Sequence, residues 1–77
     1  MKLKGFILMN VNLGCETKVL ETLMKVQGLD DAFYVLGDYD IIANVSAKTI
    51  DERNQIVSHF RKIGNVRSTS TMIAREL

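Results

Sequence analysis

The sequence predicts one α+β domain with the element order βαββαβ, and three observations carry that expectation. Apolar and β-branched residues gather in four short stretches, each bounded by turn-forming residues. Two intervening segments place their apolar residues at helical spacing. Between the middle two stretches stands only Gly37-Asp38-Tyr39, a connection too short for anything but an antiparallel hairpin.

Taken in order, Leu3 to Val11 reads as the first strand, closed by the turn signal Asn12-Leu13-Gly14. From Cys15 to Gln27 the residues Val19, Leu20, Leu23 and Met24 form an apolar stripe opposite Glu16, Lys18, Glu21 and Lys25, with Gly28 as the C-cap. Asp31 to Leu36 and Asp40 to Ser46 are the hairpin strands. Thr49-Ile50-Asp51-Glu52 has the form of a capping box. Ile50, Val57, Phe60 and Ile63 then mark the apolar face of a second helix that stops at Gly64, and Val66 to Arg75 supplies the last strand. An offset of 36 positions pairs Gly28 with Gly64, Leu20 with Ile56, Met24 with Phe60, and Ile7 and Met9 with Ala43 and Val45. Two strand-helix-strand halves of this kind make a ferredoxin-like fold: right-handed crossovers put both helices on one face of a four-stranded antiparallel sheet.

That arrangement leaves one sheet face without helices, yet the strands do not alternate cleanly. Leu3, Ile7, Met9 and Val11 share one face of the first strand while Phe6 and Leu8 take the other, and Ile42 opposes Ile41, Ala43 and Val45. Both faces want cover, so a second copy packing by a two-fold operation is expected. Size points the same way, because a chain of 77 residues buries only about 60% of the surface its unfolded form exposes.

Composition narrows the function classes. With no proline and 47% hydrophobic residues, residues 1–77 make one domain. The longest apolar runs are too short to span a bilayer, and no signal peptide follows Lys2 and Lys4. A single Cys15 rules out an internal disulfide and a cysteine-pair metal site, so a cytoplasmic setting without metal or other cofactor is expected. Ten basic residues against nine acidic ones, scattered from Lys2 to Arg75, form no phosphate-tracking stripe, which argues against nucleic-acid binding. No nucleophile, acid and base stand in a catalytic pattern: His59 lies between Ser58 and Phe60 with no partner set in view.

Two segments carry a resemblance: the hairpin Tyr34-Val35-Leu36-Gly37-Asp38-Tyr39-Asp40-Ile41-Ile42-Ala43-Asn44-Val45, and Gly64-Asn65-Val66-Arg67-Ser68-Thr69-Ser70-Thr71-Met72-Ile73. With their Gly-x-Tyr-Asp turn and Val-x-x-Thr-x-Thr strand, they resemble the effector-binding (RAM) domain of the Lrp/AsnC, or feast/famine, transcriptional regulators. The resemblance implies a sheet that pairs into a dimer of the dimeric α/β-barrel type, dimers that associate further up to an octamer of four, and an amino-acid effector held between dimers. It places effector contacts at Gly37, Asp38, Tyr39 and Asp40 on the turn and at Thr69 and Thr71 on the last strand. Such regulators usually carry a helix-turn-helix head, whereas this chain begins at the first strand. Assembly with full-length Lrp/AsnC-type regulators, rather than contact with DNA, is the implied route to transcription.

The residue types suit that ligand independently. A zwitterionic amino acid needs acceptors for its ammonium and donors for its carboxylate. Asp38 or Asp40 offers the first, and backbone N–H groups around Gly37 with the hydroxyls of Thr69 and Thr71, two apart on one strand, offer the second. Tyr39 would wall the side-chain pocket. The plain structural alternative gives Gly37 and Asp38 to turn geometry, makes Asp40 a hairpin cap, and leaves Thr69 and Thr71 as strand formers. Rival functions are a small dimeric enzyme of monooxygenase or isomerase type, drawing on Tyr34, Tyr39, Asn10, Asn44 and His59, and an ACT-like allosteric domain.

Overall fold

The computed structural model describes residues 3–75. The elements are β1 (Leu3–Val11), α1 (Glu16–Leu23), β2 (Leu29–Tyr34), β3 (Ile41–Ala47), α2 (Ile50–Arg61) and β4 (Val66–Arg75). Among the described residues the strands form one antiparallel sheet in the order β2-β3-β1-β4. This is the expected ferredoxin-like fold.

Alternation along the two central strands separates the faces. Ile7, Met9 and Val11 of β1 with Ile41, Ala43, Val45 and Ala47 of β3 point toward the helices and are buried, joined by Val19, Leu23, Ile56, Val57 and Phe60. No polar side chain enters this core among the described residues, so hydrophobic burial dominates its stability. On the opposite face, cross-strand pairing sets Phe33 beside Ile42 and Leu8, and Phe6 beside Met72. These five make an apolar diagonal from one sheet edge to the other, and Phe33 and Met72 remain about half exposed.

The two edges differ. β2 breaks register between Leu29 and Asp31, a bulge that brings Asp30 and Asp31 to the open face. There the Ser46 hydroxyl donates to Asp30, and the Asn44 Nδ2 donates to Asp31 Oδ1 at 2.6 Å. β4 runs in unbroken register from Ser68 to Arg75.

Helix ends depart from expectation. The α2 capping box forms, with the Glu52 N–H donating to Thr49 Oγ1 at 3.1 Å. However, Ile50 is 62% exposed and Ile56 takes its expected place in the core, because the first turn of α2 overhangs the strand ends. In α1, bonds from Lys25 N–H to Thr22 O and from Val26 N–H to Leu23 O tighten the chain after Leu23. Met24 caps the helix and is exposed, so Gly28 is not the C-cap; at φ +99° it shapes the turn into β2 instead. After α2 it is Asn65, at φ +73°, and not Gly64 that adopts the left-handed conformation.

Candidate functional site

The hairpin between β2 and β3 is anchored at its base and free at its tip. Val35 N–H donates to Asp40 O at 3.0 Å, and Asp40 N–H donates to Met9 O at 2.9 Å, carrying the sheet ladder across to β1. The Asp40 carboxylate also accepts from Val11 N–H, at 2.9 Å to Oδ2, and so fastens the hairpin to the end of β1. Beyond this clamp the chain reverses through Gly37 at φ +141°, a conformation L side chains rarely adopt. Leu36 beside it is fully exposed. Asp38 is exposed and Tyr39 half-buried.

Thr69 and Thr71 pair with Met9 and Ile7, so both side chains point to the helix side of the sheet, as their spacing requires. Both are half-buried, and Thr71 Oγ1 is shielded from solvent without a hydrogen-bond partner among the described residues. The row Tyr34, Ile41, Met9, Thr69 crosses the sheet, which sets Thr69 two strand spacings from the base of the hairpin, roughly 10 Å, with Met9 between. Within one protomer, therefore, β1 stands between the base of the hairpin and the strand that carries Thr69 and Thr71.

The clearest concave regions lie elsewhere. One of about 390 Å³ runs along α2 past Asn54, Ser58 and His59; a second of about 410 Å³ separates Gly28 and Gln27 from Glu52 and His59; a third of about 190 Å³ is lined by Leu3, Lys48, Thr49, Ile50 and Arg75. None is lined by Gly37, Asp38, Tyr39, Asp40, Thr69 or Thr71. The residues a small enzyme would need are also dispersed. The Tyr34 hydroxyl donates to Thr17, Asn10 to Ser68 and Asn44 to Asp31, while His59 is exposed on α2. Among the described residues no group of three His, Cys, Asp or Glu side chains is placed to hold a metal ion, and no helix is long and apolar enough to cross a membrane.

Sequence reasoning did not single out Leu13 and Leu36, which stand 95% and 103% exposed on two loops at the same end of the sheet. The one available signal was that each precedes a glycine.

The sequence profile of the Lrp/AsnC ligand binding domain matches residues 5–76. The chain belongs to the Lrp/AsnC ligand-binding domain family. A hypothetical protein from Pyrococcus horikoshii shares 34% identity and superposes with a TM-score of 0.89, over 97% of this chain and 92% of that one. Escherichia coli AsnC, at 22% identity and a TM-score of 0.88, shares the fold over 97% of this chain and 52% of its own. A homocitrate synthase of Sulfurisphaera tokodaii is 34% identical in an alignment of length 68 that covers 82% of this chain but 15% of the synthase. The Lrp/AsnC-type domain thus matches only a small share of that curated relative's length.

Proposed function

We propose that this Lrp/AsnC-type domain is an amino-acid-sensing and assembly module, that it pairs through its open sheet face, and that it binds its effector where the hairpin of Gly37 to Asp40 meets another copy. The observation that carries the reading is the division of the candidate site. The base of the hairpin and Thr69 lie roughly 10 Å apart across β1, which supports a site completed by a surface of a second protomer. The apolar diagonal of Phe33, Ile42, Leu8, Phe6 and Met72 supplies a reason for pairing, since such stripes are seldom left to water.

Occupancy of a site built between protomers shifts the assembly by the difference in affinity between the assembled and separate states. The output is then regulatory rather than catalytic, exerted on full-length regulators of the same family by mixed assembly and without DNA contact by this domain. The match to a short part of a homocitrate synthase supports the same view of a module that accompanies other activities.

The test is a thermal-shift and light-scattering panel of the twenty amino acids on wild type and on Asp38→Ala. A ligand at one hundred times its Kd stabilises by about 2.7 kcal/mol, or roughly 10–20 °C for a domain of this size, and Asp38→Ala reduces that shift. If no amino acid moves either mass or melting temperature, sensing is refuted. Phe6→Glu tests the sheet face separately, with dissociation to monomer as the expected result.

A further inference from the structure

The helix layer carries two adjoining concavities that neither the hairpin nor the open sheet face takes up. The first, about 410 Å³, lies between α2 and the turn that leads from α1 into β2. Buried Ile56 and half-buried Val26 supply its apolar surface, and Gln27, Glu52, Gln55 and His59 stand around it. The second, about 390 Å³, follows the outer side of α2 past Asn54, Ser58 and Lys62. Gln55 and His59 line both, so the two meet in one depression, and each falls within the roughly 300–1,000 Å³ of small-ligand sites.

One wall of this depression is fixed before any ligand arrives. The Ser46 N–H donates to Gly28 O at 3.0 Å, and the Leu29 N–H donates to Val26 O at 3.4 Å. Gly28 lies so close to α2 that a Cβ added there would stand 2.6 Å from Ile56 Cδ1. A wall held in this way lowers the ordering cost of binding.

Polar groups are graded along the helix. Glu52, Gln55, His59 and Lys62 recur at helical spacing on one side of α2, with a carboxylate at one end and an ammonium at the other. Helical rise sets these two ends about 15 Å apart. Between and beside them, the side-chain amides of Gln27, Asn54 and Gln55 can each donate and accept, and among the described residues they make no hydrogen bond within the chain.

That set of groups matches an extended peptide. Main-chain N–H and C=O groups pair with side-chain amides in both senses, and roughly four or five extended residues span 15 Å. With its ammonium on Glu52 and its carboxylate on Lys62, such a peptide lays an apolar side chain near its amino end on Ile56 and Val26. A single amino acid reaches only one of the two charges. A nucleic acid would set phosphate against the Glu52 carboxylate.

We propose that the depression between the α1–β2 turn and α2 binds a free oligopeptide of roughly four or five residues, its amino terminus at Glu52 and its carboxyl terminus at Lys62. The site belongs to the helix layer and shares no residue with the hairpin, so it does not depend on the effector reading for Gly37 to Asp40.

Isothermal titration calorimetry of the full chain with the pentapeptide Ala-Leu-Ala-Ser-Ala, free at both ends, tests it. Binding is expected with a Kd below about 1 mM. Acetylating the amino end or amidating the carboxyl end should weaken it about two- to fivefold each, the worth of one exposed ion pair. Glu52→Gln abolishes the first difference and Lys62→Gln the second, because each removes the partner of the blocked end. Gln55→Trp, at an exposed position in the wall common to both concavities, fills the depression and lowers affinity more than about tenfold, while its circular dichroism melt stays at the wild-type temperature. Blocked peptides that bind as tightly as the free one, end effects that survive in Glu52→Gln and Lys62→Gln, or no heat at millimolar peptide overturn the proposal. Heat that vanishes in Asp38→Ala and persists in Gln55→Trp puts the peptide at the hairpin and overturns it as well, leaving the effector reading in place.

Discussion

Replacing Asp40 by alanine should unfold this domain at a markedly lower temperature, with no ligand present. Its Oδ2 accepts the N–H of Val11, a bond that is part-buried, and Val11 itself is only 3% exposed. Deleting the acceptor leaves a shielded N–H without a partner, which costs about 1–3 kcal/mol; a charged acceptor puts the expectation near 2 kcal/mol. For a two-state domain of 60–100 residues each kcal/mol moves Tm by about 4–8 °C, so Asp40→Ala should lose about 8–16 °C. Asp40→Asn keeps a carbonyl oxygen in place and should lose about half as much. Circular dichroism melts of the three proteins decide the matter. A loss below about 2 °C for Asp40→Ala, or equal losses for both variants, would show that this bond does not hold the hairpin to β1. The outcome also bears on ligand assays, since a side chain that fastens the fold is a poor probe of binding, whereas Asp38 is exposed.

Gly28→Ala combines a left-handed φ of +99° with a new methyl group only 2.6 Å from Ile56 Cδ1, and should destabilise by more than about 1 kcal/mol. Ile56→Val removes that Cδ1, so chemical denaturation of the double variant should show less than the sum of the single losses. Thr49→Ala deletes the side-chain cap on Glu52 N–H and should cost about 1 kcal/mol, measured as a lower urea midpoint at unchanged slope.

Much of the fold was legible because side-chain period reports backbone geometry. β1 and β4 have the expected bounds, and the alternation of Ile7 and Met9 against Phe6 and Leu8 gave the faces correctly. Where a local feature broke the period, reading failed. A bulge at Leu29 and Asp31 puts both Asp30 and Asp31 on the open face, and β2 runs from Leu29 to Tyr34 instead of from Asp31 to Leu36. In α2 the helical spacing admits both Ile50 and Ile56, and only the overhang of the first turn beyond the sheet excludes the former. Met24 continues the apolar stripe of α1 in sequence, but the chain turns there to bring Gly28 against Ile56. Of the candidate site, the sequence indicated residue types and the common side of Thr69 and Thr71. It could not show that β1 stands between those threonines and the turn, nor that Asp40 is engaged by Val11, because both depend on strand order and register.

The unequal edges of the sheet set a limit on growth. Backbone groups along β4 present an uninterrupted row on which another strand can align, while the kinked border at β2 carries negative charge that repels such an addition. The two borders therefore differ in kind: one is open to pairing with a further strand and the other is guarded against it. Strand-by-strand growth into fibres from the β2 border is disfavoured, because a charged bulge there denies an incoming strand a flat edge.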